Sequence, residues 1–297
     1  MKLIIIPAIL CLAALQDEKV ELRWKFAKGQ ELRYKTSQKV TVDFAGNEMG
    51  QESGTTYRMT VNDLDEKGVA TITTKYEGVF VKSAGPQQFE YDSEKDKELP
   101  EEPQARMQAK LVGQSFTMKM TSAGKVTEVK GFEKILEGML KDAPGDEAQQ
   151  EMAREMFKQM FSDDTMKSMM QQAAPMLPEE KVGKGDKWTN DFTLKFPMIG
   201  RMKFTIASKL KELKDQDAHI EQDMKIELKP DADEANPLAS LVEFKDAKGT
   251  ALLVFSMERG IFLSSKSTMQ MTMSAGGNEI PMKIETQLKL AEKKKDF

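Results

Sequence analysis

The chain has 297 residues, with 44 basic and 48 acidic side chains and a formal net charge of −4. Both signs are interspersed, so no basic face presents itself to phosphate, which argues against nucleic acid and gives no reason to expect an anionic lipid surface as partner. One histidine and one cysteine leave zinc or copper held by imidazole and thiolate unsupported.

Residues 1–15 carry one lysine, Lys2, then an apolar run that ends in small residues, Ala13 and Ala14. That is the layout of a secretory signal peptide, with cleavage expected near Ala13 to Leu15, and the run is short for a membrane span. Cys11 sits behind Leu10, which fits poorly as the small residue a lipoprotein signal places there. If Cys11 leaves with the signal, the mature chain has no cysteine, hence no disulfide and no thiolate chemistry.

Val20, Leu22, Trp24 and Phe26 alternate with polar residues, the period of a half-buried strand. Lys28-Gly29 turns the chain, and Leu32, Tyr34, Val40 and Val42 continue the alternation. Strands are predicted again around Tyr57 to Val61 and from Val69 to Val81, broken by turns at Gly46 and Gly68. Residues 83–108, with Pro86, Pro100 and Pro103 among charged side chains, read as a long exposed loop holding at most a short strand at Phe89 to Tyr91.

From Gly131 to Pro178 the period becomes helical. Ile135, Leu136, Met139 and Leu140 suit one helix; Met152, Met156, Phe157, Met160 and Phe161 suit a second; Ser162-Asp163-Asp164 reads as an N-cap for a third carrying Met166, Met169 and Met170. From Lys181 the strand period returns through Phe192, Phe204 and Ile226, and Met269, Met271 and Met273 alternate before a turn at Gly276-Gly277 and a returning strand through Met282, Ile284 and Leu288. The last residues form a charged tail.

Lys28-Gly29 and Lys184-Gly185 open similar runs, and Gly113 with Gly124 has the spacing of Gly249 with Gly260. The predicted fold is therefore α+β, mainly antiparallel β. Two similar curved meander units, half-barrel or barrel-like, occupy residues 16–130 and 179–291. A Met-rich helical segment, 131–178, covers their apolar face, and 292–297 is the tail.

Little catalytic chemistry is visible. His219 is a lone imidazole among charged neighbours, and no Gly-x-Ser-x-Gly elbow or phosphate-binding glycine loop appears. Asp63, Asp65, Lys67 and Gly68 imitate the start of a calcium loop but lack its closing glutamate, and the acidic stretch from Asp231 lacks the glycine; both read as acidic turns. Trp24 and Trp188 read as core. No cofactor is implied. The candidate surface is the helical stripe of Met152, Met156, Phe157, Met160, Phe161, Met166, Met169 and Met170, either filling the core or facing an apolar ligand, since thioether side chains adapt to varied apolar shapes.

The phrase from Leu177 to Trp188 (LPEEKVGKGDKW), with Phe26-Ala27-Lys28-Gly29 and Gly124 to Val129, resembles an uncharacterised family of bacterial secreted proteins known as a domain of unknown function. The resemblance implies an exported or cell-envelope location and brings no catalytic residues. The expected role is an exported, non-enzymatic binder of a lipid or other apolar ligand. A module docking an envelope protein through its helices is the alternative, and a hydrolase built on carboxylates alone is a third reading.

Overall fold

A computed structural model of the chain describes residues 19–44, 46–84, 88–140, 151, 155, 162–173, 177–196, 200–229, 242–275 and 278–291. The first half forms β1 (Glu31–Phe44), β2 (Asn47–Leu64), β3 (Ala70–Ala84), β4 (Phe89–Asp92), α1 (Pro103–Ala109), β5 (Ser115–Met120) and β6 (Val126–Lys130). Among the described residues, helices α2 (Phe132–Leu140) and α3 (Asp163–Ala173) follow. The second half forms β7 (Lys187–Phe196), β8 (Gly200–Lys214), β9 (Asp217–Lys229), β10 (Val242–Ser256), β11 (Ile261–Ala275) and β12 (Asn278–Ala291).

All twelve strands belong to one antiparallel sheet in the order β6-β5-β3-β2-β1-β12-β11-β10-β9-β8-β7, with β4 paired to β3 alone. The two halves are thus continuous. β1 pairs with β12 from Arg33 opposite Ala291 to Val42 opposite Met282. A twisted sheet of this width curls. Here it curls until α3 packs against β6 and also reaches β7, the two ends of the strand order.

The two Lys-Gly phrases make the same turn. The Gly29 and Gly185 amides donate to the Val61 and Leu210 carbonyls at 2.8 and 2.7 Å, and the Val61 and Leu210 amides donate back to Gln30 and Asp186 at 2.9 and 3.0 Å. Both glycines hold positive φ, +80° and +91°, which a side chain would resist. The second pair of marks matches less well. Gly124 and Gly260 both sit in hairpin turns, whereas Gly113 precedes β5 and Gly249 lies inside β10.

Trp24 joins two buried clusters into one interior. It packs beside Leu32, Tyr34, Ile72 and Phe116 from β1 to β5, and beside Leu22, Leu210, Leu253 and Phe255 from the strap and β8 to β10. Its ring stacks on Phe26 at 5.7 Å and meets Phe255 and Phe262 edge-on. Here the structure corrects the sequence reading: Val20 to Phe26 is no strand of the sheet. It is an extended strap across one end of the curl. Val20 bridges Val182 ahead of β7, the Trp24 amide donates to Ser122 in the β5–β6 turn at 2.7 Å, and the Lys25 amide donates to Gly260 in the β10–β11 turn at 3.1 Å. Alternation arises because Leu22 and Trp24 point into the barrel end while Arg23 and Lys25 reach carbonyls of Pro178, Glu179, Met257 and Glu258. Leu22 has no exposed surface.

Residues 83–108 are also more ordered than predicted. Pro103 opens α1, where a missing amide proton costs nothing. Ala105 and Ala109 of that helix pack with Val79 of β3 and Tyr91 of β4 into a small cluster of their own. The predicted cap at Ser162 is present: its hydroxyl accepts from the Thr165 amide at 3.1 Å. Asp163 does a second job. Its carboxylate accepts from the Gly131 and Phe132 amides at 3.1 and 2.8 Å, so the start of α3 caps the start of α2 and fixes both beside the end of β6.

Candidate functional site

The register divides the inner face into three tiers. The floor, next to the strap, is aromatic and aliphatic: Tyr34, Leu210, Ile220, Leu253, Phe255 and Phe262 are all buried. Two phenols, Tyr34 of the floor and its neighbour Tyr57, are pushed above the ordinary tyrosine range by burial first, and second by Tyr57 on Tyr34 and by Tyr76 on Tyr57, so they stay neutral. Tyr34 donates to the Phe262 carbonyl at 2.9 Å.

Stepping two residues along each strand from the floor reaches a polar belt. It holds Thr36, Gln38, Thr286, Ser267, Gln222 and Ser208, all on the face that carries Tyr34, Leu288 and Ile220. The belt satisfies part of its own hydrogen bonding: the Thr36 and Thr55 hydroxyls lie 2.7 Å apart, and Gln222 donates to the fully buried Ser208 at 3.0 Å.

Two further steps reach a second apolar tier. Val40 faces Ile284 and Val42 faces Met282; Ile284 faces Met269, and Met282 faces Met271. Gly249 of β10 lies between Met269 and Met224. Beyond, Ile226 and Ile206 lead to Phe204, whose ring stacks on Phe192 at 4.8 Å. Most of these side chains are only half-buried, unlike the floor. No titratable side chain shares this tier among the described residues. None of the described helices packs extensively on β8 to β12, since α1, α2 and α3 lie against β3, β5, β6 and β7.

The outer face is of opposite character. Lys39 stands opposite both Glu52 and Glu285, and Lys283 pairs with Glu285 at 3.1 Å. Such a charged band suits water rather than the apolar band of a membrane barrel, and no described helix is long and apolar enough to cross a membrane. At a bulge in β3, Glu77 is gripped by two guanidinium groups, Arg33 and Arg58, each at 2.7 Å. Burial alone would raise its pKa, but the hydrogen bonds from the two arginines outweigh that and hold it below the usual carboxylate range. A shallow groove of about 340 Å3 on this face is lined by Asp43, Glu48 and Asp246 with Lys248 and Lys283, a near-balanced set that singles out no ligand.

The sequence-predicted stripe divides. Met152, Met156, Phe157, Met160 and Phe161 lie outside the described residues. Met166, Met169 and Met170 are on α3, where Met166 and Met170 pack against the first core cluster and Met169 is half-buried. The methionines of the second apolar tier were visible in the sequence as alternation in a hairpin, but not as one surface. The missing signal was the register that sets Met224, Met269, Met271 and Met282 on one face of β9, β11 and β12. Trp188 is half-buried on β7 against the second cluster, and His219 is half-buried next to Ile220, on the opposite face of β9. The Asp65 carboxylate accepts from the Lys67 and Val69 amides at 2.9 Å, and Asp63 pairs with Lys28. That is a turn held by its own backbone. The acidic stretch from Asp231 lies outside the described residues. No cluster of three or more His, Cys, Asp or Glu able to hold a metal occurs among the described residues.

The model of a family of unknown function, DUF6263, matches residues 67–279. The chain belongs to that family. The span takes in the phrases at 124–129 and 177–188 and leaves out the strap, β1, β2 and all but the start of β12. No curated protein matches the chain. Among solved structures it is similar to Rv2717c from M. tuberculosis, with 7% identity, a TM-score of 0.24, and 87% of this chain and 91% of that one covered. It is also similar to a putative outer membrane lipoprotein-sorting protein domain from Vibrio parahaemolyticus, with 9% identity, a TM-score of 0.17, and 89% and 87% covered. Likeness at that level carries no argument about fold or ligand.

Proposed function

We propose that the chain is an exported, non-enzymatic binding protein that takes an apolar or amphipathic ligand on the second apolar tier of its inner face. The observation that carries this reading is the contrast between tiers: a sealed floor, then hydroxyl and amide groups, then half-buried Val, Ile, Met and Phe side chains on adjoining strands. Apolar surface left half-covered inside a curl gains free energy when a hydrocarbon chain lies on it, about 25 cal/mol per Å2. The belt beneath supplies hydrogen-bond partners for a polar head. The signal-like first fifteen residues support export. In this reading the two halves act as two similar meander units that share one concavity, with the Met-rich helical segment as its cover.

The test is native mass spectrometry of the purified full chain, followed by titration with a dansylated long-chain fatty acid. A co-purifying lipid, or saturable fluorescence lost in Ile284→Lys, supports the reading. Bare protein with no saturable binding overturns it.

A further inference from the structure

We propose that the methionine row of Met224, Met269, Met271, Met273 and Met282 holds a binding site for a soft monovalent cation, Cu(I) in particular, centred on the thioethers of Met271 and Met282. This goes beyond the apolar-ligand reading, because it depends on sulfur rather than on apolarity.

Met269, Met271 and Met273 occupy alternate positions of β11 and so share one face, with Cβ atoms about 6.4–6.8 Å apart along the strand. Met282 is the direct partner of Met271 across the β11–β12 ladder, a position that brings Cβ atoms to about 4.5–5.5 Å. Met224 joins from β9, across β10. It reaches because Gly249 has no side chain: the Met224 methyl lies 3.0 Å from where a Cβ on Gly249 would stand, and the Met269 Cα lies 3.3 Å from the same point. Met271 and Met282 are thus the close pair, Met269 and Met273 flank Met271 on either side along β11, and Met224 borders Met269, so one ion would draw on the pair and a flanking thioether.

Packing alone is a poor reason for this choice. Methionine loses more rotamer freedom than leucine or isoleucine when ordered, and strands favour β-branched residues. Leucine, branched where methionine is linear, would offer a comparable apolar area without the sulfur. Thioether is a soft, neutral donor that suits Cu(I) and not Zn(II), Ca(II) or Mg(II). No described histidine or cysteine shares the face, so the ligand set is thioether alone. Because a thioether carries no proton to displace, binding should hold steady between about pH 5 and pH 8, where imidazole and thiolate sites weaken toward acid.

The experiment is an anaerobic titration of the full chain with Cu(I), kept reduced by ascorbate, against bicinchoninate as coloured competitor. The expected result is withdrawal of about one equivalent of Cu(I) per chain, with no response to Zn(II). Met271→Leu with Met282→Leu should weaken binding at least about tenfold while leaving thermal unfolding unchanged. Met269→Leu with Met273→Leu is the second pair, should the first lose its fold. Met166→Leu with Met170→Leu on α3 should leave Cu(I) binding intact. No withdrawal of Cu(I), or undiminished binding in a folded leucine pair, overturns the site. Either outcome leaves the apolar-ligand reading to its own test, native mass spectrometry and fatty-acid titration of the parent chain.

Discussion

Replacing Leu22 with alanine tests whether the strap is part of the barrel or only laid across it. Leu22 has no exposed surface and packs among Leu177, Val182, Leu210, Ile220 and Phe255. The substitution removes three buried carbons at about 0.8 kcal/mol each, about 2.4 kcal/mol of transfer free energy. The strap is held on both sides by backbone bonds to Val182, Ser122 and Gly260, so it cannot slide in to fill the gap. A cavity term then raises the loss to about 3–4 kcal/mol. For a domain of this size that corresponds to a fall in Tm of about 6–16 °C. The assay is thermal unfolding followed by circular dichroism, paired with hydrogen exchange at the Trp24 amide, which is bonded to Ser122. Both signals should fall together. A Tm within about 2 °C of the parent, or fast exchange at Trp24 in the parent itself, would refute the claim that the strap seals the floor.

Three more substitutions probe the joints of the fold. Glu77→Gln should cost about 1–2 kcal/mol after solvent screening, since it leaves two guanidinium groups without their shared carboxylate. Because the folded pKa of Glu77 lies below its ordinary 4.5, its stabilisation is complete above about pH 4.5 and is lost as pH falls through the folded value. The variant's denaturant midpoint should therefore change less than the parent's between about pH 5 and pH 3. Asp163→Ala should cost about 1 kcal/mol and speed exchange at the Gly131 and Phe132 amides, the donors it caps. Gly260→Ala should be the most damaging, because a Cβ there would run into the backbone and side chain of Lys25, at a positive φ of +61°. Loss of soluble protein, or a Tm drop larger than that of Leu22→Ala, is the expected readout.

What the sequence made legible was local. Alternation marked the strands from Leu32 to Val42 and from Met269 to Leu288, and Ser162 marked a helix start, because period and capping are written in neighbouring residues. The helix at Pro103 was hidden by composition: prolines and charges dominate 83–108, and only the two alanines that touch Val79 and Tyr91 reveal a buried side. The strap was hidden by a false cognate. Leu22 and Trp24 alternate with Arg23 and Lys25 as in a strand, but their partners are three separate turns, and no local pattern records that. The upper tier failed for a third reason. Which methionines adjoin depends on the β11–β12, β9–β10 and β10–β11 registers, the last shifted by an irregularity between Lys245 and Lys248, and such shifts move a whole row of side chains from one face to the other.

Parity explains why a helix stands in the seam. With β4 set aside, eleven strands lie along the path from β6 to β7. Every neighbouring pair is antiparallel, so an odd number leaves the two edge strands pointing the same way. Closing the barrel would need a parallel ladder between a five-residue strand and a ten-residue one, and parallel pairing is the weaker kind. A helix covering an edge is the common alternative, since it shields unpaired backbone groups from other chains. α3 fills that place, tied to β6 through the Asp163 cap and through Met166 and Met170 in the core. Side-chain packing against a helix gives way more gradually than a ladder of hydrogen bonds. The seam is thus the softer joint, closed by side-chain packing and a cap, whereas the strap ties its end of the curl by backbone hydrogen bonds to Val182, Ser122 and Gly260.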